Sequence, residues 1–441
     1  MSLSLSSRDH AAAPVAGAVW HALAWLVFGN AIGVMIAILL LLPALNAWLG
    51  EWTYGRWMMV HMNTALYGWC SLPMLAFLFR VYGAERGSVA AWCRPVLWLW
   101  SSALVIGSIS WLQGHSSGKL FLDWQGYAGV FFPLAMLALW IVLAIAFIRG
   151  ERDSGSTRGA RIAKVVGLLI LLAVPFAIYI ASSPGIYPPI NPDTGGPTGE
   201  SQLESSLGIV LILLVLPLGI ARRTAGRGRV IAWSWLLLAA EGVLCGTLSR
   251  ADISHHNPAQ WIALGSIVAW LPVMPAYYRA FAWNSETRRW RTSMLWWWGG
   301  LVVSGWVLFL PGVLDRAKFT DALVGHSLAA VAGFLSALLI FMMVELLGER
   351  DAWILNRAWS FHLWNWGVFA YVVVMGVAGW MEARDPAFTI VPGPYRNTLY
   401  IVRLITGLMM LAASIEWLAA ASRGPALATQ PVMQEQGVKV A

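Results

Sequence analysis

Long apolar runs separated by short polar segments make up nearly the whole chain. A helix that crosses a bilayer needs about 20 predominantly apolar residues. Runs of that kind occur at about 19–45, 57–79, 92–112, 124–148, 162–182, 206–221, 229–247, 259–281, 293–314, 321–347, 359–380 and 398–421. The sixth is short, and the seventh follows it after only a tight Arg-rich turn. Alternating apolar and polar positions, the mark of a membrane barrel strand, are absent. A helical bundle is then the arrangement that satisfies the backbone in lipid. The pattern predicts an all-α, polytopic membrane protein of twelve transmembrane helices. Residues 1–18 are expected to form a cytoplasmic N-terminal segment, 19–421 the membrane domain and 422–441 a disordered cytoplasmic tail. The first run lacks a short apolar core followed by a cleavage site, so it is expected to be a retained helix.

Composition narrows the class. Hydrophobic residues make up 59% of the 441 and charged residues 11%, less than half of the roughly 25% of a soluble chain. A large soluble enzyme, a nucleic-acid binder and a disordered scaffold are thereby excluded. Lys and Arg outnumber Asp and Glu by 29 to 21, and their distribution explains the excess. Loops on one side, from Arg80 to Arg357, hold eighteen basic residues. The alternate loops hold seven: Arg56, Lys119, Arg250, Arg316, Lys318, Arg384 and Arg396. Such alternation requires an even count of spans in this register and places both termini in the cytoplasm. Two loops on the outer side stand apart: 183–205, rich in Pro and Gly and without Lys or Arg, and 382–397. Cys70, Cys93 and Cys245 are too few and scattered for a disulfide framework or thiolate metal site, and are expected to be small apolar fillers.

The depth of the eight histidines carries the chemistry. His61 lies five residues past Arg56, and His326 five past Asp321, each on a helix running inward from the outer side. At 1.5 Å per residue each sits roughly 7–8 Å below its flanking charge. His115, His255 and His256 fall in or near outer loops, whereas His10, His21 and His362 belong to the inner side. An intramembrane imidazole is either a functional group or a partner in a hydrogen bond between helices. Small residues flank both spans' histidines (Thr64, Ala65, Gly68; Ala329, Ala330, Ala332, Gly333) and leave room for a flat cofactor. Haem iron takes imidazole ligands readily. No HxH, CxxCH or HExxH motif is present. Glu241 is the one carboxylate near a midplane, with a hydrogen bond to a neighbouring helix as its simplest role. The 28 tryptophans mostly bracket spans (Trp296, Trp297, Trp298, Trp364, Trp366), as interfacial belts do.

These segments resemble subunit I of the haem-copper oxidases, in particular the cbb-type cytochrome c oxidases and the related nitric oxide reductases, over nearly the whole chain. VHMNTALYGW (60–69) is similar to the helix-two segment that carries an axial ligand of the low-spin haem, and His61 takes that place. FTDALVGHSLAAVAGF (319–334) is similar to the helix-ten segment, with His326 in the place of the high-spin haem ligand. FHLWNWGVFAYVVVMGVAGW (361–380) and YIVRLITGLMML (400–411) resemble the last two helices, where Arg403 is placed to meet a haem propionate. The resemblance implies one or two haems b and respiratory electron transfer linked to reduction of O2 or NO. It further implies a c-type cytochrome or copper-protein subunit at the outer face, in a bacterial inner (cytoplasmic) membrane. His61, His326, His255 and His256 are the candidate metal ligands.

The departures bear on the low-spin haem and on copper. Leu328 stands where the family's helix-ten pair has its second histidine, the low-spin haem's other ligand, which faces the other pocket because two residues along a helix are about 200° apart; His61 then lacks its usual partner. His255–His256 match the family's His–His pair with a shortened following loop; aligned backwards from Trp261, Arg250, Ala251 and Asp252 stand there instead. No histidine lies between His115 and His255, and no tyrosine between Tyr187 and Tyr277. A copper or non-haem iron ion held by the pair lacks its third histidine, so this site is expected to be degenerate or absent. A second function is also open: a non-catalytic paralogue serving as structural or assembly partner of an oxidase or c-type cytochrome. A transporter is disfavoured, since no internal repeat is visible.

Overall fold

The computed structural model describes residues 13–119, 121–150, 157–190, 202–248 and 254–423. Among the described residues, twelve helices are long and apolar enough to cross a membrane. They are α1 (Ala13–Leu41), α2 (Tyr54–Tyr82), α3 (Gly87–Leu112), α4 (Ala128–Gly150), α5 (Arg158–Ser182) and α6 (Gln202–Ile220). The second half comprises α7 (Gly228–Leu248), α8 (Pro258–Tyr278), α9 (Ser285–Phe309), α10 (Asp321–Leu347), α11 (Ala358–Arg384) and α12 (Pro394–Arg423). Each corresponds to one expected run. The short sixth run gains a turn because Gln202–Ser205 join it and Leu203 is buried. α1 starts six residues early, at Ala13, since Pro14 needs no hydrogen-bond acceptor in a first turn and Val15 and Ala18 pack inward. The Arg-rich turn is tied down by a two-residue ladder, Arg222 opposite Ala282 and Arg223 opposite Phe281. His10, residues 191–201 of the loop 183–205, Arg250–Asp252 and the tail from 424 lie outside the described residues.

Position in the bundle follows burial. α10 and α2 are the most enclosed, with 72% and 61% of their apolar windows buried, against 17% for α5 and 22% for α7. α10 and α2 therefore form the interior with α3 and α1, 56% and 50% buried, and α12 packs on both α1 and α11. The open faces of α5 and α7 carry Leu169, Phe176, Trp233 and Val243, suited to lipid. Cys70, Cys93 and Cys245 are all buried and form no disulfide, in keeping with the filler role.

α2 and α10 share a local feature. Each widens into a π turn, Ala65–Cys70 in α2 and Ala329–Leu335 in α10, beginning four and three residues after its histidine. A π turn inserts one residue and leaves the i−4 ladder incomplete. Serine hydroxyls seal both: Ser71 Oγ donates to the Leu66 carbonyl at 2.9 Å, and Ser336 Oγ to that of Val331 at 2.8 Å. Indoles satisfy further carbonyls, Trp100 that of Tyr67 and Trp364 that of Ala332. The two turns also join directly, since Trp69 Nε1 donates to Ser336 Oγ at 2.8 Å. Close approach there depends on glycine: a Cβ on Gly68 would lie 2.7 Å from Trp25, and one on Gly333 2.6 Å from Trp297.

Tryptophan placement corrects the expectation of interfacial belts. Trp296 and Trp366 are exposed (79% and 60%), but Trp364 and Trp298 are only 2% and 3% exposed. Trp364 is held inside because its N–H serves the Ala332 carbonyl. An indole buries a large apolar ring at little cost once its single donor is paired.

Candidate functional site

His61 is oriented by α1. Its Nδ1 lies 2.8 Å from the Gly29 carbonyl, which only accepts, so Nδ1 carries the proton and Nε2 keeps its lone pair. This is how an imidazole is set for a metal: one nitrogen hydrogen-bonded to the backbone, the other free. The ring rests on Gly33, one turn along α1, where a Cβ would meet Cε1 at 2.9 Å.

His326 is held more loosely. Its Nδ1 is 3.3 Å from Ser304 Oγ on α9, and that hydroxyl also faces the Leu301 carbonyl at 3.3 Å. Gly305 makes ordinary contact with the ring. Both histidines are half-buried, as are Ala65 and Ala330 beside them. Open surface thus persists at the histidine level of the two most enclosed helices.

Arg403, on α12, is 6% exposed. Its Nη1 is 3.4 Å from Asp321 Oδ1, and Tyr400 donates to Asp321 Oδ2 at 3.0 Å. Its guanidinium lies over the rings of Tyr371 and Tyr400 and close enough to His61 and Tyr54 for charges to interact. Arg403 Nε is buried without a hydrogen-bond partner. Asp321, used in the sequence only as a depth marker, begins α10 behind Thr320, whose Oγ1 accepts from the Ala322 amide. An acid in a first turn complements the helix dipole, and this one also faces Arg403.

The predicted outer connectors bring a different set together. His255 and His256 lie just ahead of α8, and their Nε2 atoms reach the same oxygen, Oδ1 of Asp315, at 2.7 and 3.2 Å. Asp315 sits in the short helix Leu314–Ala317 between α9 and α10. The hydrogen bond from His255 is the main influence holding its carboxyl below the usual carboxylate range; burial opposes it, and the Gly312 amide and the two imidazoles add to it. Asp315 was missed in the sequence, being sixty residues from His255, with no spacing to link them. His326 turns to Ser304 rather than to this pair.

The remaining expectations resolve simply. Glu241 accepts from Trp270 Nε1 at 2.6 Å, the expected bond between helices. His21 is buried against Ser101 at 2.8 Å, and His115 packs edge-on against Tyr127. A cavity of about 760 Å³ lined by Pro14, Trp20, His21, Arg94 and Trp98 opens beside α1 and α3, away from His61 and His326.

The chain is similar to cytochrome c oxidase subunit 1 of Rhodobacter capsulatus. Identity is 21% over 445 residues, covering 89% of this chain and 81% of that protein. No family model matches the chain. A distant likeness spread over nearly the full length, with twelve spans, supports the resemblance to the haem-copper oxidase subunit I superfamily and a multi-pass membrane location.

Proposed function

We propose that this chain is a subunit I-like membrane haem protein of the cbb-type oxidase and nitric oxide reductase branch, with His61 as an axial ligand of haem b. The observation that carries the reading is the His61 ring itself: Nδ1 is committed to the Gly29 carbonyl and Nε2 is left as a free donor atom. Two further observations support the fit. The buried, unpartnered Nε of Arg403 is suited to a carboxylate such as a haem propionate, and open surface lies beside His61. Haem held by His61 or His326 would supply one-electron transfer and, at His326, an iron able to take O2 or NO. The protein's part is orientation: Gly29 and Gly33 set the imidazole, and Asp321 holds the Arg403 guanidinium near it. A copper or non-haem iron centre has no place in this reading, because the missing third histidine leaves the family's set incomplete, and Leu328 leaves His61 without the family's second ligand to the same haem. A c-type cytochrome or copper protein is the electron donor at the outer face, and the bacterial inner membrane, with both termini cytoplasmic, is the setting.

A second reading, the non-catalytic structural or assembly partner, is favoured by Asp321, which already neutralises the charge of Arg403 from within the chain. The test is a reduced-minus-oxidised spectrum with pyridine haemochrome on the purified protein. Haem b present in the native chain and lost in His61→Ala supports the first reading. Absence of haem from the native protein overturns it and leaves the partner role.

A further inference from the structure

We propose that His255, His256 and Asp315 form a binding site for a single divalent transition-metal ion of the Zn2+ class on the predicted outer face of the bundle. The proposal is independent of haem at His61 or His326. It starts from a convergence of donors: two imidazoles point their Nε2 atoms at one carboxylate oxygen, with ring centroids 4.0 Å apart. As hydrogen bonds, each neutral ring donates from the Nε2–H tautomer. A cation placed among the three groups is met by the other tautomer, in which the proton sits on Nδ1 and both Nε2 lone pairs face the ion beside the carboxylate oxygen.

The geometry is close to what an ion needs. All three donor atoms lie within 4.8 Å of one another. Tetrahedral zinc, with bonds of about 2.0–2.2 Å, sets its donors about 3.3–3.5 Å apart. The nitrogen–oxygen distances of 2.7 and 3.2 Å therefore open by less than about 1 Å on loading. The site has a fixed wall and a movable one. The His255 side chain is 9% exposed and lies beside Phe309, whereas that of His256 is 64% exposed and free to adjust. The Gly312 amide donates to Asp315 Oδ2 at 3.2 Å, orienting the carboxylate so that Oδ1 faces the histidines, as outer-shell partners of metal ligands do. Two imidazoles with one carboxylate suit Zn2+ and neighbouring transition ions, and discriminate against Ca2+ and Mg2+, which take oxygen ligands. Solvent access at His256 and Asp315 leaves the fourth position to water. The ion would join the connector before α8 to the one between α9 and α10, fastening the end of the bundle from which the His326 helix departs.

Calorimetric titration of the chelator-treated full-length protein with Zn2+ tests the proposal, with Mg2+ as the contrast. One Zn2+ per chain is expected, with no comparable Mg2+ binding. Asp315→Ala and His256→Ala should each weaken binding by about tenfold or more, while His115→Ala leaves it unchanged. His256 is exposed enough for its replacement to preserve folding, which the elution profile and helical circular dichroism of the variant confirm. Failure to bind Zn2+, or equal binding by the folded His256→Ala variant, overturns the proposal. The haem spectrum of the same preparation reports separately on His61.

Discussion

Replacing Gly33 by alanine puts a methyl carbon 2.9 Å from Cε1 of the His61 ring. Ordinary contact begins near 3.4 Å, so ring or helix must yield by about half an ångström. The ring is pinned on its other side by the 2.8 Å bond to the Gly29 carbonyl, and yielding stretches that bond toward the limit of useful geometry. Loss of the bond costs about 0.5–1.5 kcal/mol, and the overpacking adds about 1–3 kcal/mol. Alanine's helix propensity returns about 0.8–1.0 kcal/mol. The net expectation is destabilisation by about 0.5–4 kcal/mol. Gly300→Ala in α9 is the matched control, since nothing lies within 4 Å of a Cβ there; it should be neutral or stabilising. Thermal denaturation of the two purified variants in one detergent measures the difference, and haem content per chain, where haem is present, should fall in Gly33→Ala alone. Equal thermal midpoints for the two variants would refute the view that α1 sets the His61 ring.

Two further outcomes follow from packing. Ser336→Ala removes the hydroxyl that receives the Trp69 indole, leaving a buried donor unpaired while the Val331 carbonyl keeps the residue-336 amide; a loss of about 1–3 kcal/mol is expected, read as a lower thermal midpoint than that of Ser71→Ala, which strands no indole. Gly379→Ala forces a Cβ to within 2.0 Å of the Ala322 amide nitrogen, so α10 and α11 cannot cross as they do. Its expected result is no recoverable folded protein by size-exclusion chromatography, whereas Gly376→Ala on the same helix, with nothing within 4 Å, should purify normally.

Much of the architecture was legible because lipid leaves so few options. An apolar run of bilayer length has to be a helix, and all twelve appear near their expected bounds. Ends were less legible: nothing in the apolar pattern foretold that Ala13–Ala18 would continue α1, which depends on Val15 and Ala18 finding partners. Depth was readable for His61 and His326 from the flanking charges, but orientation was not, since Gly29 and Ser304 sit on other helices. Asp321 was visible as a boundary, yet its pairing with Arg403, eighty-two residues away, depends on how α10 and α12 pack. Asp315 was invisible for the same reason. The tryptophans misled because one composition serves both lipid interface and core, and only the partner of the indole N–H separates Trp366 from Trp364.

The Trp69–Ser336 contact has a mechanical implication. A single hydroxyl closes the wide turn of one histidine-bearing helix while being gripped by the other, so neither helix can slip along its axis without unlatching both. A lengthwise shift of either helix therefore works against this bond, a resistance of about 0.5–1.5 kcal/mol.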